Sequence, residues 1–109
     1  MVMFLHLLMM SVKQLSGLMK KVKSMQINFS KNFCKDYAKA PKEIRRALKK
    51  RISLFKENKN ERILNNHQLS GNLSSLRSIN ITGDWRVLFA DDNNIVSFVI
   101  LDKHSNLYK

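Results

Sequence analysis

Residues 67–108 read HQLSGNLSSLRSINITGDWRVLFADDNNIVSFVILDKHSNLY, and this stretch predicts most of the fold. Apolar and polar side chains alternate in two segments, which is the period of a strand with one buried face. A nearly continuous apolar run follows over residues 95–101, as in a strand from the interior of a sheet. Turn residues separate these segments at positions 82–83 and 91–94. The stretch therefore predicts three antiparallel strands.

The alternation also assigns side chains to the two faces of the predicted sheet. In the second strand, Trp85, Val87 and Phe89 fall on one face. Asp84 and Arg86 fall on the other face, two positions apart. We therefore expect a charged pair to stand on the polar side of the sheet.

The sequence before this stretch predicts one short strand and two helices. Gln26–Phe29 has the pattern of a strand, and Ser30 stands where the N-cap of a first helix is expected. Pro41 lies near the first turn of a second helix, where its missing N–H costs nothing. Residues 58–75 are polar and predict a loop. The apolar stripe of the second helix is predicted to be core and consists of Ile44, Leu48, Ile52 and Phe55.

Together these elements predict the fold class. It is α+β, with two N-terminal helices packed on a three- to four-stranded antiparallel sheet. The second helix also carries many cations around its apolar stripe. These cations either form a solvated surface or bind a partner, which would be RNA phosphates or acidic protein residues. The cations that we assign to RNA binding on this helix are Arg45, Arg46, Lys49 and Lys50.

The composition is strongly basic and includes a single cysteine. Twenty Lys and Arg residues against eight Asp and Glu residues give a net charge of +12. Such a surface suits a nucleic acid or an acidic protein segment, although a domain that is merely basic has the same composition. The lone Cys34 excludes an internal disulfide and favours a reducing compartment such as the cytoplasm. The sequence has no Cys or His cluster with metal-ligand spacing, which argues against a structural zinc.

Residues 1–24 form an N-terminal extension, helical or disordered, before a domain of residues 25–109. Its opening run, MVMFLHLLMM, is too short to span a bilayer, and lysines follow this run instead of preceding it, unlike in a secretory signal. One interpretation is an amphipathic helix at a membrane surface. The other is that translation starts at Met25. Without its four lysines the net charge falls from +12 to +8, so the basic character does not depend on it.

Residues 67–108 also contain the side chains that metal-free RNA cleavage requires. That reaction needs a proton donor, a proton acceptor, a cation for the developing phosphate charge and a ring on which a base can stack. The candidate catalytic residues are His67, Asp84, Arg86, His104 and Tyr108. The candidate RNA-binding residues in this stretch are Arg77, Trp85 and Lys103.

The order and spacing of these residues resemble the RelE/ParE superfamily of bacterial toxins, specifically its YafQ-like branch of mRNA interferases. The matching motifs are H-x-L-x-G at residues 67–71, R-S-x-x-x-x-x-D-W-R at residues 77–86 and H-x-x-L-Y at residues 104–108. The resemblance covers residues 25–109. It implies a RelE-like fold and the toxin of a type II toxin–antitoxin system. Such a toxin cleaves mRNA in the ribosomal A site without a cofactor, and the C-terminal segment of an antitoxin wraps its basic surface.

The resemblance also suggests roles for individual residues. His67, Asp84 and His104 match catalytic positions of the YafQ-like branch, and Trp85 and Tyr108 match aromatic positions. Because histidine titrates near neutral pH, we assign His104 as the general acid, and we give His67 and Asp84 the base and orienting roles. Arg86 would stabilise the phosphate, with Arg77 or Lys103 in support.

Two positions depart from the family pattern. Asn80 stands where the best-known YafQ-like toxin has a third histidine, and Ile100 stands where that branch can carry an arginine. An asparagine can form hydrogen bonds but cannot shuttle a proton. Arg86 is the cation that can compensate. Each candidate also has a structural interpretation: Asp84 and Arg86 as an exposed ion pair, and Trp85 as a core residue.

Two other functions remain open at this stage. The first is a gyrase poison of the ParE type, which uses the same fold without nuclease chemistry. The second is a non-catalytic module that binds nucleic acid or protein, although no helix-turn-helix or RNA-binding aromatic signature supports it. A small neighbouring reading frame that encodes an acidic partner would favour the toxin interpretations.

Overall fold

The computed structural model describes residues 25–107, which form a five-stranded sheet with two helices on one face. Two single-turn 3₁₀ helices, Arg62–Leu64 and Gly71–Leu73, lie before and after the short strand His67–Gln68. Within these residues no helix is long and apolar enough to cross a membrane. The regular elements, in chain order, are β1 (Gln26–Phe29), α1 (Lys31–Lys39), α2 (Lys42–Glu57), β2 (His67–Gln68), β3 (Arg77–Asn80), β4 (Trp85–Asp92), β5 (Ile95–Lys103) and α3 (His104–Leu107).

The α+β fold class is confirmed, but the sheet is larger than expected and is mixed. The strand order is β1-β5-β4-β3-β2, and β1 pairs with β5 in the parallel direction. The remaining neighbours are antiparallel. The additional strand, β2, lies inside the segment predicted as a loop. It has only two residues, so no period-two pattern marks it in the sequence. The predictions for residues 1–24 and for Tyr108 lie outside the described residues.

The hydrophobic core lies between the two helices and one face of the sheet. Phe55 of α2 contacts Phe89 and Phe98 edge to face, with ring centroids 5.2 and 5.7 Å apart. Phe33 of α1 lies 5.5 Å from Phe98. These rings are buried, and burial of each contributes about 1.5–3 kcal/mol. The predicted stripe of α2 is confirmed as core: its Leu48 and Phe55 are buried, and its two isoleucines pack against the same cluster.

The start of α1 fixes the path of β5 toward the C-terminus. Ser30 is the N-cap that the sequence predicts, since its hydroxyl accepts a hydrogen bond from the Phe33 nitrogen at 3.0 Å. The same hydroxyl donates to the Val99 oxygen, at a bulge where β4 and β5 shift register. Further along, the Asp36 carboxylate accepts from the Leu101 nitrogen at 3.0 Å. Beyond the end of β1, side chains at the start of α1 and along it therefore form the hydrogen bonds that the backbone edge of β5 would otherwise lack.

Candidate active site

The turn between β3 and β4 carries Asp84 at one end of the sheet. The Trp85 nitrogen donates to the Thr82 hydroxyl at 3.2 Å, and the Ile81 nitrogen donates to the Trp85 oxygen at 2.8 Å. These bonds close the turn, so β4 begins at Trp85, one residue later than the predicted alternation required. Asp84 is exposed and belongs to the turn, which corrects its predicted place on a strand face.

A backbone hydrogen bond brings His104 to the same turn. The His104 nitrogen donates to the Asp84 oxygen at 2.7 Å. The contact arises because Lys103 pairs with Trp85 at the end of β5, so the first residue of α3 follows directly beside the turn. The structure therefore brings two predicted catalytic residues together through their main chains. Neither side chain is needed for this placement.

The Arg86 side chain folds back over the turn. Its Nη1 atom donates to the Thr82, Gly83 and Trp85 oxygens, at 3.0 to 3.1 Å. The alternative interpretation of Arg86 and Asp84 as an ion pair is not supported, because between described residues the one ion pair joins Lys59 and Asp91 at 2.7 Å. Nε and Nη2 of Arg86 have no partner among residues 25–107. Arg86 is therefore held by one nitrogen and retains two nitrogens, with three N–H groups, for an anionic ligand.

His67 lies on the edge strand, on the same face of the sheet as Arg86. It is paired with Ser78, whereas Arg86 is paired with Asn80 two positions further along β3. Strand geometry puts the His67 and Arg86 Cα atoms about 12 Å apart, two strands and two residues away. The structure thus places His67 on the same polar face as Arg86.

The hydrogen bonding of His67 defines its tautomer. Its Nδ1 atom lies 2.7 Å from the Asn65 oxygen. A carbonyl oxygen can only accept, so Nδ1 carries the proton and Nε2 of the neutral ring carries a lone pair. Asn65 presents this oxygen from a left-handed conformation, with φ 47° and ψ 50°. The exposed Nε2 atom is the one that can accept a proton.

Three predicted RNA-binding positions lie away from this face. Trp85 packs against the hydrophobic core, on the face opposite Arg86. Lys103, which is exposed, is in register with Trp85 and not with Arg86. Arg77 is in register with the core residue Phe89, so its side chain also lies on the reverse face. The predicted cations of α2 are on a helix that packs against the core face, and the structure does not bring them to the candidate site; they are Arg45, Arg46, Lys49 and Lys50.

Asp102 is a site residue that the sequence motifs did not indicate. Its Oδ1 atom accepts from the Lys103 nitrogen at 2.7 Å and from the Asn106 side chain at 3.0 Å. These contacts brace the first turn of α3 and hence the start of the segment that carries His104. Asp102 is also the register partner of Arg86. The available signal was the Asp and Asn four residues apart, which is the spacing of neighbours on a helix.

Asn80 and Ser78 extend the polar face of β3 between His67 and Arg86. Ser78 is fully buried, and its hydroxyl has no hydrogen-bond partner within the described part of the chain. The Asn80 Oδ1 atom is likewise buried without a partner there. Asn80 thus lies in register with Arg86 and two positions along β3 from Ser78, the partner of His67. It supplies hydrogen-bonding capacity at the position where the family pattern can place a histidine.

Several solved structures with this fold are described as bacterial toxins. A crystal structure of YafQ from E. coli strain BL21(DE3) has a TM-score of 0.67 and 20% identity, covering 78% of this chain and 99% of that one. The E. coli DinJ-YafQ toxin-antitoxin complex has a TM-score of 0.66 at 21% identity, covering 79% and 99%. A YoeB-YefM complex from Staphylococcus aureus has a TM-score of 0.60 at 21% identity, covering 73% and 97%. The shared fold is that of the RelE-like toxins.

The family is identified by the sequence itself. Residues 25–109 match the family described as the bacterial toxin of type II toxin-antitoxin system, YafQ. The chain therefore belongs to the YafQ family of type II toxins, as the three motifs predicted. A search of curated proteins found no match.

Proposed function

We propose that this toxin is an endoribonuclease that cleaves mRNA in the ribosomal A site and thereby inhibits translation. The observation that carries the proposal is the hydrogen bond between the His104 nitrogen and the Asp84 oxygen. It joins the main chains of His104, the candidate acid, and Asp84 at the turn over which the Arg86 side chain folds. This turn is at one end of a sheet that carries His67 on the same face as Arg86. These are the groups that in-line attack by a ribose 2′-hydroxyl requires.

The proposed reaction needs no metal or cofactor. The base, His67 Nε2 with Asp84 in support, takes the proton of the 2′-hydroxyl. The O2′ atom forms a bond to phosphorus while the bond from phosphorus to O5′ breaks, and His104 donates a proton to the leaving O5′. The products are a 2′,3′-cyclic phosphate and a 5′-hydroxyl. The two unengaged nitrogens of Arg86 stabilise the negative charge that develops on the phosphate oxygens.

Asn80 has a binding role in this scheme. Its buried Oδ1 atom is unpartnered among residues 25–107 and faces the row that contains Arg86. If the Asn80 side chain rotates when RNA binds, a nucleotide hydroxyl or amino group can donate a hydrogen bond to that oxygen. An unpaired buried acceptor costs about 1–3 kcal/mol, and this bond would offset that cost. Asn80 therefore orients the RNA, and proton transfer depends on the two histidines and Asp84.

Affinity for the ribosome and its mRNA comes from the basic surface. Residues 25–109 keep a net charge of +8, obtained from +12 by subtracting the four lysines of the extension. Phosphate contacts supply most of the sequence-independent part of RNA binding. The α2 cations lie away from the candidate site, so they contribute to docking on ribosomal RNA and not to the chemistry. Because ribosomes are in the cytoplasm, we expect the toxin to act there.

The cognate antitoxin is the proposed protein partner. An apolar groove of about 310 Å³ lies between β1, α1 and α2. Phe29 leaves 49% of its surface exposed there, and Lys49 contributes a cation to the wall. An antitoxin segment with apolar and acidic side chains fits both features. The residues that line the groove are Phe29, Phe33, Cys34, Tyr37, Leu48, Lys49 and Ile52.

Substitution of Cys34 tests the antitoxin proposal, because this residue is exposed in the wall of the groove. Cys34→Glu places a negative charge there without removing any core contact. We expect weaker capture of an acidic partner encoded in a neighbouring reading frame, measured as the dissociation constant of the purified pair. Unchanged affinity would show that the antitoxin binds elsewhere.

Induction in growing cells tests the nuclease proposal. The full chain and residues 25–109 are expressed in parallel, as wild type and with His104→Ala or Asp84→Ala, and mRNA ends are mapped by primer extension. We expect growth arrest with new mRNA ends, and loss of both in the two variants. Arrest without new ends would instead indicate a gyrase poison. A well-expressed protein that does neither would indicate a non-catalytic module.

A further inference from the structure

His67 stands on a strand that has little support of its own. β2 has two residues, both exposed, and it forms one edge of the sheet. A strand of this length gains few ladder bonds, so its position depends on other contacts. The proposed reaction requires that the His67 ring keep one tautomer and one position.

Besides the backbone pairing with β3, β2 is held by side-chain contacts from Arg77. The Arg77 Nε atom donates to Oδ1 of Asn66 at 2.8 Å, and its Nη1 atom donates to Oε1 of Gln68 at 3.2 Å. Asn66 and Gln68 are the two chain neighbours of His67. One half-buried guanidinium therefore grips the chain on both sides of the histidine, from the reverse face of the sheet.

The other ends of both amides are also engaged. The Asn66 Nδ2 atom donates to the Lys59 oxygen at 2.9 Å, and the Gln68 Nε2 atom donates to the Ser74 oxygen. Each amide thus presents oxygen to the guanidinium and nitrogen to a carbonyl, which is the orientation the two partners require. The contacts form a chain from the residues before β2 to the residues after it. Arg77 is the member that links the two sides.

We infer that Arg77 is a positioning residue for His67. By holding Asn66 and Gln68, it keeps the His67 Nδ1–H on the Asn65 oxygen and leaves Nε2 as the proton acceptor. This assignment replaces the phosphate contact predicted for Arg77, because its side chain is on the reverse face and already engaged. Its consequence for cleavage rests on the proposed nuclease function, whereas its effect on the His67 ring does not.

A lysine substitution separates the two roles of Arg77. Lysine keeps the charge and binds phosphate as a point charge, but it cannot donate in the forked geometry that reaches both amides. A phosphate contact would therefore be largely restored in Arg77→Lys, and a positioning contact would not. Asn66→Ala removes one of the two acceptors and leaves the arginine in place. Arg62→Ala is the matched control, since Arg62 is an exposed cation of the same connection without contacts to Asn66 or Gln68.

The test is ¹⁵N NMR of the His67 ring in the full chain, with His67→Gln used to assign the signals. We expect the Nδ1–H tautomer in the wild type and in Arg62→Ala. In Arg77→Ala, Arg77→Lys and Asn66→Ala we expect the Nε2–H form to become the major neutral species. Circular dichroism identifies any variant that fails to fold, and the remaining variants then decide the result. An unchanged His67 tautomer in folded variants would overturn the inference.

Cleavage assays on the same proteins give the second readout. We expect the rate of bound RNA cleavage to fall about 10²-fold in Arg77→Lys and Asn66→Ala, as a small misplacement of a catalytic group does, with RNA affinity unchanged. Restored cleavage in Arg77→Lys, or a salt dependence of RNA binding reduced by about one phosphate contact in Arg77→Ala, would make Arg77 a phosphate ligand and overturn the inference. If the wild type does not cleave RNA but the variants still show the tautomer shift, only the nuclease proposal is refuted.

Discussion

The two halves of the candidate site are held in place by hydrogen bonds of different kinds, one between backbone atoms and the others between side chains. The hairpin half consists of residues 82–86 and His104, and its central contact joins two backbone atoms. The edge half consists of residues 65–68 and Arg77, and its contacts run through a guanidinium and two side-chain amides. A backbone contact survives most substitutions, whereas each side-chain contact depends on one residue type. Substitutions in the hairpin half should therefore lower the cleavage rate without displacing the other candidate residues. Substitutions in the edge half should displace the His67 ring.

The largest effect is expected from removing either imidazole. His67→Ala and His104→Ala should each slow cleavage by about 10²–10⁴-fold, the usual contribution of a positioned acid or base. His104→Ala should keep the hydrogen bond from its backbone nitrogen to Asp84, so the protein should remain folded. Cleavage rates and urea unfolding of the purified proteins test both expectations. Asp92→Ala, an exposed carboxylate near the β4–β5 turn, serves as control and should keep full activity.

Arg86 tests the comparison further, because it is a catalytic candidate of the hairpin half whose side chain also holds the turn. Arg86→Ala should slow cleavage by about 10²–10³-fold through lost stabilisation of charge. It should also lower the free energy of unfolding by about 1–3 kcal/mol, since three backbone oxygens lose a charged donor. Arg86→Lys should recover part of the rate and little of the stability. A stable, fully active Arg86→Ala protein would refute both roles.

The left-handed Asn65 tests whether the edge half depends on its backbone as well. Asn65→Gly keeps the conformation accessible, whereas Asn65→Val should cost about 1–2 kcal/mol because a β-branched residue is strained at φ 47°. Only the valine variant should lose cleavage, as the oxygen that accepts from His67 moves. Thermal unfolding and cleavage rates of the pair are compared. Equal activity in the two variants would show that this oxygen does not set the position of His67.

The smallest effect is expected on α2, outside both halves. Lys49→Ala or Lys50→Ala should leave cleavage of bound RNA unchanged and reduce the salt dependence of RNA affinity by about one phosphate contact each. The measurement is the dissociation constant as a function of salt concentration. A changed cleavage rate at saturating RNA would show that α2 takes part in the reaction and would contradict this prediction.

The same contrast explains how far the sequence could predict the structure. The Ser30 cap and the core stripe of α2 were correctly predicted, because capping and periodicity are local properties. Residues 82–86 of the hairpin half could be recognised as part of a sequence motif because they are contiguous in the chain. β2 was missed because two residues carry no periodicity, and the task of Arg77 was missed because its partners are nine and eleven positions away. The parallel pairing of β1 with β5 likewise has no local signal.

The central claim is that the two histidines, Asp84 and Arg86 cleave RNA through the 2′-hydroxyl. The most direct test is to incubate the purified toxin with ribosomes programmed with a defined mRNA and to analyse the chemistry of the new ends. A 5′-hydroxyl and a 2′,3′-cyclic phosphate, formed without added metal and absent with His104→Ala, are the predicted result. Ends that carry a 5′-phosphate, or cleavage that persists at the wild-type rate in His104→Ala, would contradict this account.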